Sequence, residues 1–135
     1  MIKILGIEHI GIAVKSKNKM SNFFENILGI KNPISEDIQD QKVLTEIFDT
    51  TNGKLEILES TSGKSPINNF LDKRGNGVHH VALLVENIDS ALIDLKSKNV
   101  QLIDESPRIG AEGFKIAFIH PKATDGILIE LCQKP

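Results

Sequence analysis

Glu8-His9-Ile10-Gly11-Ile12-Ala13-Val14 and His79-His80-Val81-Ala82-Leu83-Leu84-Val85 are two versions of one pattern, with His9 and His80 standing 71 positions apart. Each is a mostly apolar run, rich in Ile, Val and Leu, of the kind a β-strand needs. The stretch after each run repeats as well. Met20, Phe23, Phe24, Ile27 and Leu28 fall at i, i+3, i+4, i+7 and i+8, the spacing of an apolar helix stripe. Ile88, Ala91, Leu92 and Leu95 do the same, with Asn87 or Asp89 placed to cap the start. Gly29 and Asn99 are placed to end the two helices.

Beyond each helix the texture changes to short strands. Val43 to Phe48 leads through a Thr51-Asn52-Gly53 turn into Leu55-Glu56-Ile57-Leu58, a hairpin by its Asn-Gly turn. Lys115 to Ile119 leads through a longer turn, Pro121 to Gly126, into Ile127-Leu128-Ile129-Glu130-Leu131. Ser65-Pro66 is an N-cap and first-turn pair for a short helix over Ile67, Phe70 and Leu71. The chain therefore reads as an α+β domain over residues 1–135, built of two tandem βαβββ modules at about 5–60 and 76–133 with a linker over 61–75. Neither module buries its sheet face alone, so the two are expected to pair as a pseudo-twofold, eight-stranded incomplete barrel around a shared concavity.

Composition narrows what such a domain does. Its 135 residues suffice for one core, and 40% hydrophobic with 25% charged residues is a globular balance. Sixteen Lys and Arg against eighteen Asp and Glu give a net charge of −2 without clustering, which speaks against nucleic acid as a partner. Six Phe and no Trp or Tyr leave few platforms for stacking bases. No apolar run approaches the roughly 20 residues of a membrane span, so no membrane partner is expected. A single cysteine, Cys132, excludes an internal disulfide and fits a reducing, cytoplasmic setting.

The repeat turns single residues into a constellation. His9 and His80 hold one position in the first strand of each half, and Glu56 and Glu130 one position in the last. A lone strand histidine is ordinarily a hydrogen-bonded core or edge residue, and a lone strand glutamate ordinarily faces water, as Glu59 is placed to do. Glu130 resists that reading, because Gly126 to Cys132 is apolar on both faces and an unpaired buried carboxylate costs several kcal/mol. Two imidazoles and two carboxylates without a thiolate form a metal-ligand set for Co, Ni, Mn, Fe or Zn. Strand alternation lets only one of His79 and His80 face the site, and the repeat selects His80. Cys132 shares the face of Glu130, where packing is its simplest role.

These features resemble the vicinal-oxygen-chelate superfamily of glyoxalase I, extradiol dioxygenases and antibiotic-resistance proteins, and within it the methylmalonyl-CoA epimerase family. The resemblance rests on Glu8 to Val14, Lys54 to Glu59, Ser65-Pro66-Ile67 with Phe70-Leu71, and Gly77 to Ala82. It continues through Arg108 to Ala111 with Gly113, and His120-Pro121-Lys122 with Gly126 to Glu130. It implies a divalent metal held by His9, Glu56, His80 and Glu130, an acyl-CoA substrate, and a homodimer. It also implies interconversion of the C2 epimers of methylmalonyl-CoA by removal and return of the α-proton through a metal-stabilised enolate. Glu46 is then the expected base, although an ungapped match puts the family's glutamate on Thr45, and Glu130 is the expected second acid/base. Arg108, Lys122, Lys73 and Arg74 are the available cations for CoA phosphates, with solvated surface charge as their plainer role, and His120 could orient substrate. A glyoxalase I-type lyase shares the ligand set. A metal-free drug-binding protein would not need it, and an iron dioxygenase would leave Glu56 unexplained.

Overall fold

Eight strands and three α-helices run in the order the repeat implies: β1 (Ile4–Val14), α1 (Asn18–Asn22), β2 (Ile34–Ile38), β3 (Val43–Asp49), β4 (Lys54–Ser60), α2 (Ile67–Arg74), β5 (Gly77–Val85), α3 (Ile88–Ser97), β6 (Arg108–Ile109), β7 (Lys115–Ile119) and β8 (Ile129–Gln133). The computed structural model describes residues 1–135, and the α+β class expected from sequence holds. The chain divides into two units, one of His9–His79 and one of Met1–Glu8 with His80–Pro135. The first eight residues thus belong with the second half rather than with the repeat that they begin. Long-range contacts hold them there: Ile2 packs on that unit's core, the Glu86 N–H donates to the Lys3 carbonyl at 3.1 Å, and Lys3 pairs with Glu86.

In the His9–His79 unit the strand order is β2-β3-β4-β1, with β1 parallel to β4 and the other pairs antiparallel. The parallel pair is what a strand–helix crossover makes. One face carries Phe48 and Ile57, both fully buried, with Val14 and Phe24 and, around them, Ile12, Met20, Ile30 and Leu55. The other face carries Gly11 opposite Glu56, Ala13 opposite Leu58, and Thr45 opposite Leu58. The helix after β1 departs from the expected single stripe. An α-helical turn over Asn18–Asn22 gives way to a π-helical turn over Phe23–Ile27. Only Phe24 of the five predicted apolar positions is buried; Met20 is half-buried, and Phe23, Ile27 and Leu28 are exposed.

In the other unit the order is β5-β8-β7-β6, with β5 parallel to β8. Val85, Ala117, Ile119 and Leu131 line one face beneath Ile88, Ala91 and Leu92 of α3. Asn87 supplies the cap, its side chain accepting from the Ser90 N–H at 2.9 Å. Asn99 and Gly29 have the positive φ, 59° and 77°, expected of helix-ending residues. Ala82, Phe114, Ile116, Phe118 and Cys132 fill the opposite face. Three expectations shift. The last strand begins at Ile129 rather than Ile127, which is exposed. Strands β2 and β6 had no separate signal. Pro66, not Ser65, takes the cap position of α2 without a side-chain bond, and the buried Ser65 hydroxyl instead donates to the Gln41 carbonyl at 3.5 Å.

Candidate metal and acid/base site

Each unit brings one histidine and one glutamate together on the face away from its apolar, helix-covered layer. In the first, the His9 Nδ1 lies 2.6 Å from the Glu56 Oε2. In the second, the His80 Nε2 lies 3.7 Å from the Glu130 Oε2. Register explains both pairs. Glu56 stands opposite Gly11 and Glu130 opposite Ala82, each the small residue two positions beyond the histidine and hence on its face. A small neighbour leaves room for the carboxylate to lean toward the imidazole. On the other side Glu56 is opposite Ile47 and Glu130 opposite Phe118, so an apolar wall flanks each carboxylate. His9 is 8% exposed, Glu56 5%, His80 5% and Glu130 4%, deep enough that neither carboxylate can rely on water for its charge. Such His and Glu groups are able to hold a metal ion.

The surroundings of His80 are ordered by aromatic contacts. Phe118 meets the imidazole edge-to-face at 5.6 Å, and the Arg108 guanidinium lies 5.7 Å from the centroid of the same ring. Asp104 holds Arg108 through a 3.3 Å approach to Nε. Arg108 is thereby fixed on the face that carries His80, unlike the other expected cations. Arg74 sits over Phe70 at 5.7 Å, and Lys73 and Lys122 are exposed. His79 turns away from His80, as alternation requires. It meets Phe70 edge-to-face at 5.1 Å, and burial pulls its pKa below the ordinary 6.5. Cys132 packs on the face of Glu130 among Ala82, Phe114, Ile116 and Phe118, with Sγ 3.5 Å from the Leu83 carbonyl. His120 is engaged in its own turn, where Nδ1 accepts from the Lys122 N–H at 3.1 Å.

Glu46 requires a correction. It stands opposite Ile57 and Ser35, one residue out of phase with Glu56, and so lies on the face of Phe48 and Ile57. There it is 6% exposed, and its Oε2 accepts from the Lys17 Nζ at 3.3 Å and the Ser35 hydroxyl at 3.2 Å. The structure therefore does not bring Glu46 to the face of Glu56. Thr45 occupies that face instead and is 2% exposed.

A family model of the Glyoxalase/Bleomycin resistance protein/Dioxygenase superfamily matches residues 8–118. The chain belongs to this superfamily. Among individual relatives, the uncharacterized protein YqjC of Bacillus subtilis is 44% identical over 94% of this chain and 91% of its own length. The human mitochondrial methylmalonyl-CoA epimerase is 36% identical over 94% of this chain and 73% of its own. A solved structure of a Streptomyces coelicolor methylmalonyl-CoA epimerase variant, in complex with 2-nitronate-propionyl-CoA, superposes with a TM-score of 0.91 at 31% identity. It covers 98% of this chain and 96% of its own. Within the superfamily, then, the likeness runs to the methylmalonyl-CoA epimerases.

Proposed function

We propose that this protein is a metal-dependent isomerase that interconverts the C2 epimers of methylmalonyl-CoA. The observation that carries the reading is the pair of buried His–Glu couples at repeat-equivalent registers, His9 with Glu56 and His80 with Glu130. They fit a divalent ion by their chemistry. Two imidazoles and two carboxylates make a borderline-to-hard donor set, and a cation would compensate carboxylates that are otherwise costly to bury. The similarity to named epimerases over nearly the whole chain supports the choice of substrate class.

When bound by His9, Glu56, His80 and Glu130, such an ion would act as a Lewis acid toward the thioester and carboxylate oxygens of the substrate. The chain supplies the rest. Phe118, Ile47 and Leu58 give the two faces apolar walls that strengthen electrostatic interactions beside them. Arg108, clamped by Asp104 and Phe118, offers a guanidinium for an anionic group of the acyl-CoA. Glu130 would serve as a proton carrier at the C2 carbon only where its carboxylate is released from the ion.

The test is to assay interconversion of the R and S epimers of methylmalonyl-CoA alongside isomerisation of the glutathione–methylglyoxal hemithioacetal. Conversion of the CoA ester without hemithioacetal turnover is expected. Turnover of the hemithioacetal alone would replace the proposal with a glyoxalase I-type activity.

A further inference from the structure

We propose that Arg108 binds the free carboxylate of the substrate and thereby selects a carboxylated thioester over a neutral one; this rests on the epimerase reading of the site. Register brings Arg108 to the face of His80 and Glu130. It stands opposite Ile116, Ile116 opposite Cys132, and Cys132 opposite Leu84, while the adjoining row runs Phe118, Glu130, Ala82. His80 lies two residues before Ala82 and so shares that face. Arg108 is the one lysine or arginine in these rows.

Its guanidinium is steadied at the base and open at the tip. Asp104 is tied to the main chain of Phe118 in both directions: its N–H donates to the Phe118 carbonyl at 3.2 Å, and its Oδ2 accepts the Phe118 N–H at 2.8 Å. The other carboxylate oxygen comes within 3.3 Å of the Arg108 Nε, which is buried without an aligned hydrogen bond. The Phe118 ring supports the guanidinium from 5.7 Å. The side chain is 39% exposed, and its two terminal nitrogens meet no protein acceptor. A planar fork held in this way is suited to a carboxylate, which it grips with two parallel N–H bonds.

Reach separates the two anionic ends of an acyl-CoA. The same Phe118 ring lies 5.6 Å from the His80 ring, so a single aromatic side chain stands between Arg108 and His80. The carboxylate hangs on C2, the reacting carbon itself. The first phosphate lies about 13 bonds beyond the thioester sulfur, roughly 14 Å along an extended pantetheine arm. With C2 at His80 and Glu130, Arg108 is close enough for the carboxylate and too close for the phosphates. An acyl group without the carboxylate leaves the half-buried guanidinium facing nothing, which a desolvated charge resists.

The test is titration calorimetry of cobalt-loaded wild type, Arg108→Met and Arg108→Lys with three ligands: methylmalonyl-CoA, propionyl-CoA, which lacks the carboxylate, and methylmalonyl-pantetheine, which lacks the phosphates. Arg108→Met should bind both carboxylated ligands about 10- to 100-fold more weakly, with propionyl-CoA binding and cobalt content unchanged. Arg108→Lys, which keeps the charge without the fork, should recover part of that loss. Weaker binding of the two CoA esters with the pantetheine ester unaffected would overturn the assignment in favour of the phosphates. Equal weakening of all three ligands, or of none, would overturn it as well. Failure of the metal-loaded wild type to interconvert the epimers would instead overturn the functional reading, and it shows in the activity assay rather than in binding.

Discussion

Replacing Glu46 by Gln separates the two faces of the first sheet. The carboxylate accepts from the Lys17 ammonium and the Ser35 hydroxyl, while its Oε1 is buried without a hydrogen bond. Hydrogen bonds to charged groups contribute about 1.5–3 kcal/mol each. The Gln carbonyl still accepts, and the Lys17 side chain, 25% exposed, can reach water, so the net loss is set at ~1–2 kcal/mol. For a domain of this size that is a fall in Tm of roughly 3–10 °C. Lys17→Met should give a fall of similar size, and the double variant should lose less than the two single losses added, because the sites share one interaction. Deuterium uptake at C2 of methylmalonyl-CoA should stay within about threefold of wild type in all three, whereas loss of a general base costs about 10²- to 10⁴-fold. A Glu46→Gln protein that is folded and metal-loaded but has lost uptake a hundredfold or more, on that scale, would refute the face assignment.

Glu56→Ala should weaken cobalt binding by at least about 10–100-fold, the cost seen for groups that merely support a ligand, while Glu56→Gln retains an oxygen donor and should bind more tightly than the Ala variant; equilibrium dialysis reads both. His79 governs a pH effect. Because its folded pKa lies below 6.5, the unfolded chain takes up the proton first as pH falls, so stability is full above 6.5 and is lost below it. Urea unfolding from about pH 7.5 to about pH 5.5 should show that loss in the wild type and a shallower one in His79→Gln. Ile57→Ala, at a fully buried position packed with Phe48 and Val14, should cost about 2–5 kcal/mol by urea unfolding, without changing the metal content of the folded protein.

The legible part of the fold comes from the repeat. Two copies of one strand–helix–strands pattern set the α+β class, the repeat-equivalent positions of His9 and His80 and of Glu56 and Glu130, and the choice of His80 over His79, while which histidine meets which glutamate comes from the structure. A duplicated register carries the same side chains to the same face twice. The choice between Glu46 and Thr45 is not legible in the sequence, because a single strand does not reveal its own phase. Val43-Leu44-Thr45-Glu46-Ile47-Phe48 is apolar on both faces, and only pairing with β4 decides which residues join Glu56. Strand β2 has no signal of its own because Ile34-Ser35-Glu36-Asp37-Ile38 has the polarity of a loop, and its alternation has meaning only beside β3. The π-helical turn at Phe23 was likewise invisible, since an apolar stripe at helical spacing carries no mark of where the winding widens. The swap of Met1–Glu8 to the second unit depends on a partner at Glu86, far along the chain.

The central claim is that proton removal at C2 depends on a divalent ion held by the two His–Glu couples. Its most direct test is deuterium uptake from D₂O into methylmalonyl-CoA by the protein as purified, after chelator treatment, and after cobalt is restored. Uptake that disappears with the metal and returns with cobalt is the predicted result. Unchanged uptake by metal-stripped protein would contradict the claim.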